Sequence, residues 1–184
     1  MRRLAASVVG AMVEAAAELR IHRTRVLLSL IGVAVAVAAL TTVVGLGTVA
    51  QQSSLESYER SGGREANTLP NRPEPVVVFT TRGAKSGKVR KNPLMKVEHD
   101  GVYAMVASQG GAPKHPTWYF NLTAHPDQVT VQDGDRVWDG VAREVTGAEK
   151  AVWWERAVAA YPDYADYQRK TDREIPVVLV EPKR

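Results

Sequence analysis

The chain has 184 residues, enough for one ordinary domain plus an extra segment and too few for two full domains. Its 45% hydrophobic and 24% charged content excludes disorder of the whole chain, and the lack of cysteine excludes a disulfide scaffold, a cysteine-ligated metal cluster and a thiol nucleophile. The histidines His22, His99, His115 and His125 lack metal-ligand spacing, so no metal is expected, and a formal charge of +4 favours an anionic partner.

In chain order, residues 1–19 are small and apolar and read as a helix at a membrane surface or against a partner. Val26 to Ala50 then runs without a charge. A helix of that length spans about 37 Å, more than the roughly 30 Å hydrocarbon core, so it reads as a transmembrane helix. Arg20, Arg23 and Arg25 before it bias the N-terminus toward the cytoplasm. Residues 67–75, with Pro70, Pro73 and Pro75, read as a linker. The expected domains are thus an N-terminal segment over 1–66, this linker, and a folded domain over 76–184.

Short strands dominate from Val76 onward. Val76–Thr81, Lys88–Glu98 and Val102–Ser108 are three, with a hairpin turn at His99-Asp100-Gly101. Pro116–Ala124 reads as a short helix. Gln128–Gln132 and Val137–Glu144 flank a turn at Asp133-Gly134-Asp135. Thr146 and Glu149 form a capping box for a helix to about Ala160, Pro162 opens another to about Arg169, and Ile175–Val180 is the last strand. Consecutive strands with tight turns imply an antiparallel, barrel-like sheet with outer helices, mainly β with α, and disfavour a Rossmann fold.

Three segments carry candidate chemistry. Between Arg82 and Lys91 five basic residues alternate with Gly83, Gly87 and Ser86 at a strand junction. Such a loop is either an anion cradle or a solvated basic tip. It is not a phosphate-binding P-loop, because Gly83 and Gly87 are too close and Val89 stands where Ser or Thr should be. Ala107-Ser108-Gln109-Gly110-Gly111-Ala112-Pro113 follows a strand and opens a helix, either a plain turn or a place where a flat ligand meets the backbone. Tyr161, Tyr164 and Tyr167 bring phenols together, as core aromatics or as a ligand-lining, proton-donating set. Asp163 and Asp166 read as solvated helix charges.

The motifs Thr80-Thr81-x-Gly83-x-Lys85-Ser86-Gly87-x-x-Arg90-x-Asn92-Pro93-Leu94, Ala107-Ser108-x-Gly110-Gly111-Ala112-Pro113-Lys114-His115-Pro116-x-Trp118-Tyr119-x-Asn121-Leu122, Tyr161-Pro162-x-Tyr164-x-x-Tyr167-Gln168 and Thr171-Asp172-Arg173-x-Ile175-Pro176-Val177 occur in that order. Over about 74–182 the chain resembles the deazaflavin-dependent nitroreductases, also described as coenzyme F420-dependent quinone reductases. The resemblance implies a split β-barrel of FMN-binding type that binds coenzyme F420, an 8-hydroxy-5-deazaflavin. Lys85, Ser86 and Arg90, with Arg82 compensating for Ala84, would hold the phosphate tail. Ser108, Gly110, Gly111 and Ala112 would line the ring, Trp118 and Asn121 would shape the pocket, and Tyr161, Tyr164 and Tyr167 would form the acceptor side. Ala84 and Gln109 depart from common family residues. Residues 19–29 and 59–64 resemble the first span of a macrolide-exporter-type ABC-transporter permease.

The implied activity is hydride transfer from reduced F420 to a quinone or nitroaromatic acceptor. The implied setting is the plasma membrane, through a single N-terminal span or a surface anchor, with lipid as a partner, no nucleic acid, and the barrel on the cytoplasmic side by cofactor logic. An N-terminus-in span would put the barrel outside the cell, so this requires reversed insertion, surface anchoring without spanning, or a fusion that does not function in this form. A non-catalytic deazaflavin- or polyanion-binding barrel, or a permease fragment with an inert tail, are the alternatives.

Overall fold

A computed structural model describes residues 52–68 and 72–183. The charge-free run at 26–50, the segment before it and the permease-like motif at 19–29 lie outside the described residues. No helix among the described residues is long and apolar enough to cross a membrane.

The strands are Val76–Arg82 (β1), Val89–Met95 (β2), Glu98–His99 (β3), Val102–Val106 (β4), Val129–Asp133 (β5), Arg136–Val145 (β6) and Val177–Pro182 (β7). Helical segments cover residues 52–61 (α1), Thr117–Ala124 (α2), Gly147–Ala160 (α3) and Asp163–Arg169 (α4), with a 3-10 turn at Gln109–Gly111. The seven strands among the described residues form one antiparallel sheet in the order β2-β1-β5-β6-β7-β4-β3.

The two edge strands of that sheet are consecutive in the chain, separated by Lys96 and Val97. Lys96 N–H donates to Pro75 O at 2.8 Å, and Ala104 N–H donates to Val97 O at 2.8 Å. One bent run therefore pairs with β1 before the bend and with β4 after it, and the sheet closes on itself. This bend breaks the continuous strand expected over 88–98. The barrel-like sheet with peripheral helices is present, and closure removes the exposed edges that an open sheet would leave.

Strand side chains alternate between faces, and here both faces are apolar. Val77, Phe79, Tyr103, Met105, Val178 and Val180 share one core with Trp118 and Leu122 of α2. Val76, Val78, Ala104, Val106, Val177 and Leu179 share the other with Tyr58 of α1, Trp153 and Ala157 of α3, and Tyr164 of α4.

Tyr58 is 2% exposed, and its hydroxyl accepts the Gly134 N–H at 2.9 Å in the β5–β6 turn. Behind it, Gly63 sits at φ +71, and a Cβ there would lie 2.4 Å from Gly134 Cα, so the close approach needs glycine. The compact unit accordingly starts at Ser53, whereas the sequence reading ends the N-terminal segment at residue 66.

The expected capping box does not form. Thr146 is the N-cap of α3 without a side-chain cap bond. Glu149 instead meets Arg143 with two hydrogen bonds of 2.7 and 2.8 Å, a charge-assisted fork that outcompetes one backbone N–H.

Tyr58→Phe keeps the ring but leaves the Gly134 N–H without its partner, at a cost of about 1 kcal/mol. Tyr58→Ala also opens a cavity, at a cost of about 3–5 kcal/mol. Denaturant unfolding of the two variants checks this. Equal stabilities would mean that α1 does not belong to the folded core.

Candidate cofactor and acceptor site

The basic loop between β1 and β2 is tied into a tight shape. Gly83 N–H donates to Lys88 O at 2.9 Å, and Gly87 N–H donates to Gly83 O at 2.8 Å. Asn121 reaches it from α2. That side chain is 7% exposed, and its Oδ1 accepts the Ala84 N–H at 3.0 Å. A cleft of about 350 Å³ opens between residues 83–86, Arg90, Thr117, Phe120 and Asn121.

Two kinds of cation lie along β2, from this loop to the far end of the hairpin. Lys91 is bound to Glu59 at 2.7 Å, and Lys96 to Asp133 at 2.7 Å. Lys85, Lys88 and Arg90 are exposed and make no ion pair among the described residues. Unpaired cations on a loop held by a buried amide suit a polyanionic tail. Phe120, 51% exposed at the cleft, offers a ring face that the sequence reading passed over.

Arg82 stands elsewhere. Its Nη1 donates to Gly87 O at 3.5 Å, and it lines another depression of about 250 Å³ with Thr80, Val89, Asp127 and Asp139. Trp118 is buried in the core under α2 and so supports the helix that carries Asn121 and Phe120.

The segment after β4 turns through Ser108, Gln109, Gly110 and Gly111. Gly111 N–H donates to Ser108 O at 3.0 Å, and Ala112 N–H to Gln109 O at 3.1 Å. Gly111 has φ +83, and a Cβ there would come within 2.7 Å of Tyr167 O and 2.8 Å of Lys170 Cβ. Only glycine lets this turn seat on α4, which brings the glycine loop and the tyrosine helix together.

The three tyrosines touch, with ring centroids 5.1 to 6.3 Å apart. Tyr161 and Tyr164 are buried in the core, at 5% and 4% exposed, while Tyr167 is half-buried. Burial pushes the Tyr161 and Tyr164 phenols up, and Tyr161 is raised further by Tyr167 and Asp163. Tyr161 donates to Asp163 Oδ2 at 3.1 Å and lies 3.2 Å from the Tyr167 hydroxyl. An ionised carboxylate only accepts, so the single Tyr161 hydrogen goes to Asp163 and Tyr167 is the donor to Tyr161. Asp163 is therefore not simply a solvated charge. Arg72 donates to it at 2.7 Å, and that bond holds its carboxyl below the usual range.

His115 links the glycine loop to the cleft. Its ring stacks on Tyr119 at 4.8 Å and meets Phe120 edge-on at 6.0 Å. Tyr119 donates to Glu144 at 2.7 Å, and burial followed by that carboxylate pushes its phenol up to about 12. His115 Nδ1 faces Arg173 Nη1 at 3.1 Å. Burial first, then the Arg173 charge, lowers the His115 pKa against the opposing pull of Glu144. His115 and Arg173 stand inside recognisable motifs, yet only the folded chain shows what they hold.

The F420H(2)-dependent quinone reductase family matches residues 51–182. The chain belongs to that family. An F420H(2)-dependent quinone reductase of Mycobacterium tuberculosis, Rv1261c, is 33% identical over 126 residues, covering 67% of this chain and 83% of that protein. A solved F420-H2 dependent reductase, FDR-A, is 64% identical with a TM-score of 0.56, over 58% of this chain and 94% of its own. A domain-swapped dimer is 52% identical with a TM-score of 0.58, over 74% and 99%. The protein is thus an oxidoreductase of the F420-dependent family.

The depressed His115 pKa makes stability depend on pH. The unfolded chain takes up its proton near the ordinary 6.5, and the folded chain takes it up only at a lower pH. The His115 contribution is therefore complete above about pH 6.5 and is lost as pH falls through the folded value. Thermal melts across that window should show the wild type losing stability relative to His115→Phe. Parallel curves would contradict this origin.

Proposed function

We propose that the protein passes a hydride from reduced coenzyme F420 to a quinone-type acceptor. The observation that carries this reading is one continuous arrangement: unpaired cations on the Asn121-held loop, the aromatic run Phe120–His115, and a glycine loop seated on the tyrosine helix. Lys85, Ser86 and Arg90 take the phosphate tail. Ser108, Gly110, Gly111 and Ala112 carry the flat ring. The cofactor, when bound, supplies the hydride.

An acceptor that takes a hydride also takes a proton. Tyr167 is the half-buried phenol of the three, while Tyr161 and Tyr164 support it from the core. Its hydrogen rests on Tyr161, so it serves the acceptor by rotating about its C–O bond. Asp163, kept ionised by Arg72, fixes that resting direction.

Anaerobic turnover of reduced F420 with a soluble naphthoquinone tests the reading. Lys85→Ala with Arg90→Ala should weaken cofactor binding by about 2–4 kcal/mol at low salt. Tyr167→Phe should leave that affinity unchanged and lower kcat by ~10²-fold, within the usual range for proton transfer. Unaltered turnover in Tyr167→Phe would assign the proton to solvent.

We read the charge-free run at 26–50 as a plasma-membrane span inserted against the arginine bias, N-terminus outward, which leaves the barrel on the cytoplasmic side close to a lipid-dissolved quinone. Full-length protein should then stay in membrane fractions through an alkaline carbonate wash. Its release into the wash would remove the anchor.

A further inference from the structure

We infer that Arg173 is a positioning residue for hydride transfer, a single guanidinium that holds the glycine loop in register with the tyrosine helix. The inference rests on the proposed hydride transfer and adds a residue to it. Arg173 lies between α4 and β7 and points back at the loop after β4. Its Nε donates to Ala112 O at 2.8 Å, and its Nη2 donates to Ala107 O at 3.0 Å and to Ser108 O at 2.8 Å. Nη1 lies 3.1 Å from His115 Nδ1. A guanidinium only donates, so His115 accepts through Nδ1 and carries its hydrogen on Nε2.

These four contacts clamp both arms of the loop that carries the ring-lining residues. No carboxylate pairs with Arg173 among the described residues, and burial lowers its pKa. A cation kept half-buried without a counter-ion is costly unless its donors are satisfied. Here carbonyls and an imidazole satisfy them. A lysine has only three N–H groups, all on one atom, and cannot make all four of these contacts.

The same segment is fastened to the tyrosine helix. Gln168 of α4 donates through Nε2 to Arg173 O at 2.9 Å and accepts the Ile175 N–H through Oε1 at 2.9 Å. The contact of Gly111 with Tyr167 O forms a second seam. Arg173 therefore stands at the joint between the cofactor side and the acceptor side. Hydride transfer needs donor and acceptor atoms at about 3–3.5 Å, where small displacements cost large factors in rate. A residue at this joint governs that distance without touching either partner.

The experiment uses the full-length chain and Arg173→Lys, with Arg173→Gln as a second variant. Thermal unfolding, F420 affinity by fluorescence, kcat, acceptor KM and the primary isotope effect with deuterated reduced F420 are measured for each. A positioning role predicts that cofactor affinity changes by less than about threefold while kcat falls by ~10–100-fold with a larger isotope effect. Added guanidinium should restore part of the kcat of Arg173→Gln. A loss of kcat that only follows the folded fraction, with an unchanged isotope effect, would overturn the inference, as would a wild-type kcat in Arg173→Lys.

If both variants unfold, His115→Leu removes one of the four contacts and leaves Arg173 in place. It should raise the isotope effect to a smaller extent, and an unchanged effect would equally overturn the inference. A wild type that fails to oxidise reduced F420 with any quinone would sink the proposed function instead, so the two failures are distinct.

Discussion

The central strands are apolar on both faces, and both faces must be covered. Val76 to Phe79 supplies alternate residues to two cores, as do Tyr103 to Val106 and Val177 to Val180. Trp118 and Leu122 bring α2 onto one face, while α1, α3 and α4 cover the other. The segment from Ala107 to Pro116 has to pass from the sheet into α2, and its 3-10 turn seats on α4. Both helical layers therefore meet at this one loop. The candidate site lies where covering two faces leaves the chain crossing between them.

Electrostatics separates the cations that fasten the fold from those left for a ligand. Lys96 and Arg136 converge on Asp133, which also accepts the Tyr103 hydroxyl at 2.6 Å. Burial alone would raise the Asp133 pKa, but the Lys96 and Tyr103 bonds and the two charges pull it below the ordinary value. Lys85, Lys88 and Arg90 have no such partners, and a buried asparagine rather than a carboxylate holds their loop. A carboxylate in place of Asn121 would repel the anion that these cations attract and could not hold the loop without opposing its purpose. Arg173 follows the same logic, since neutral carbonyls and a neutral imidazole satisfy its donors.

Much of the fold was legible because it depends on local pattern. Strand alternation, the Asp100-Gly101 turn and the helix after Pro116 are set by neighbours in sequence. The bend at Lys96–Val97 was not legible, since it depends on closure of the sheet around distant strands. Tyr58 was read with the N-terminal segment because its partner Gly134 lies 76 residues away. The capping box was a sound local signal that a fork from Arg143 overrode. The motifs single out the loops of the candidate site only as segments, and Arg82, Asp163 and Arg173 show their limit. Which side chain faces a cleft, another side chain or a backbone carbonyl is decided by tertiary geometry.

The central claim is that the basic loop and the glycine loop belong to one cofactor site. Amide hydrogen exchange on the full-length protein, with and without saturating F420, tests it most directly. The account predicts slowed exchange at residues 83–90 and 107–112 together, with the β5–β6 turn at Gly134 unchanged. Protection of one loop without the other, or protection centred on the depression beside Arg82, would contradict it.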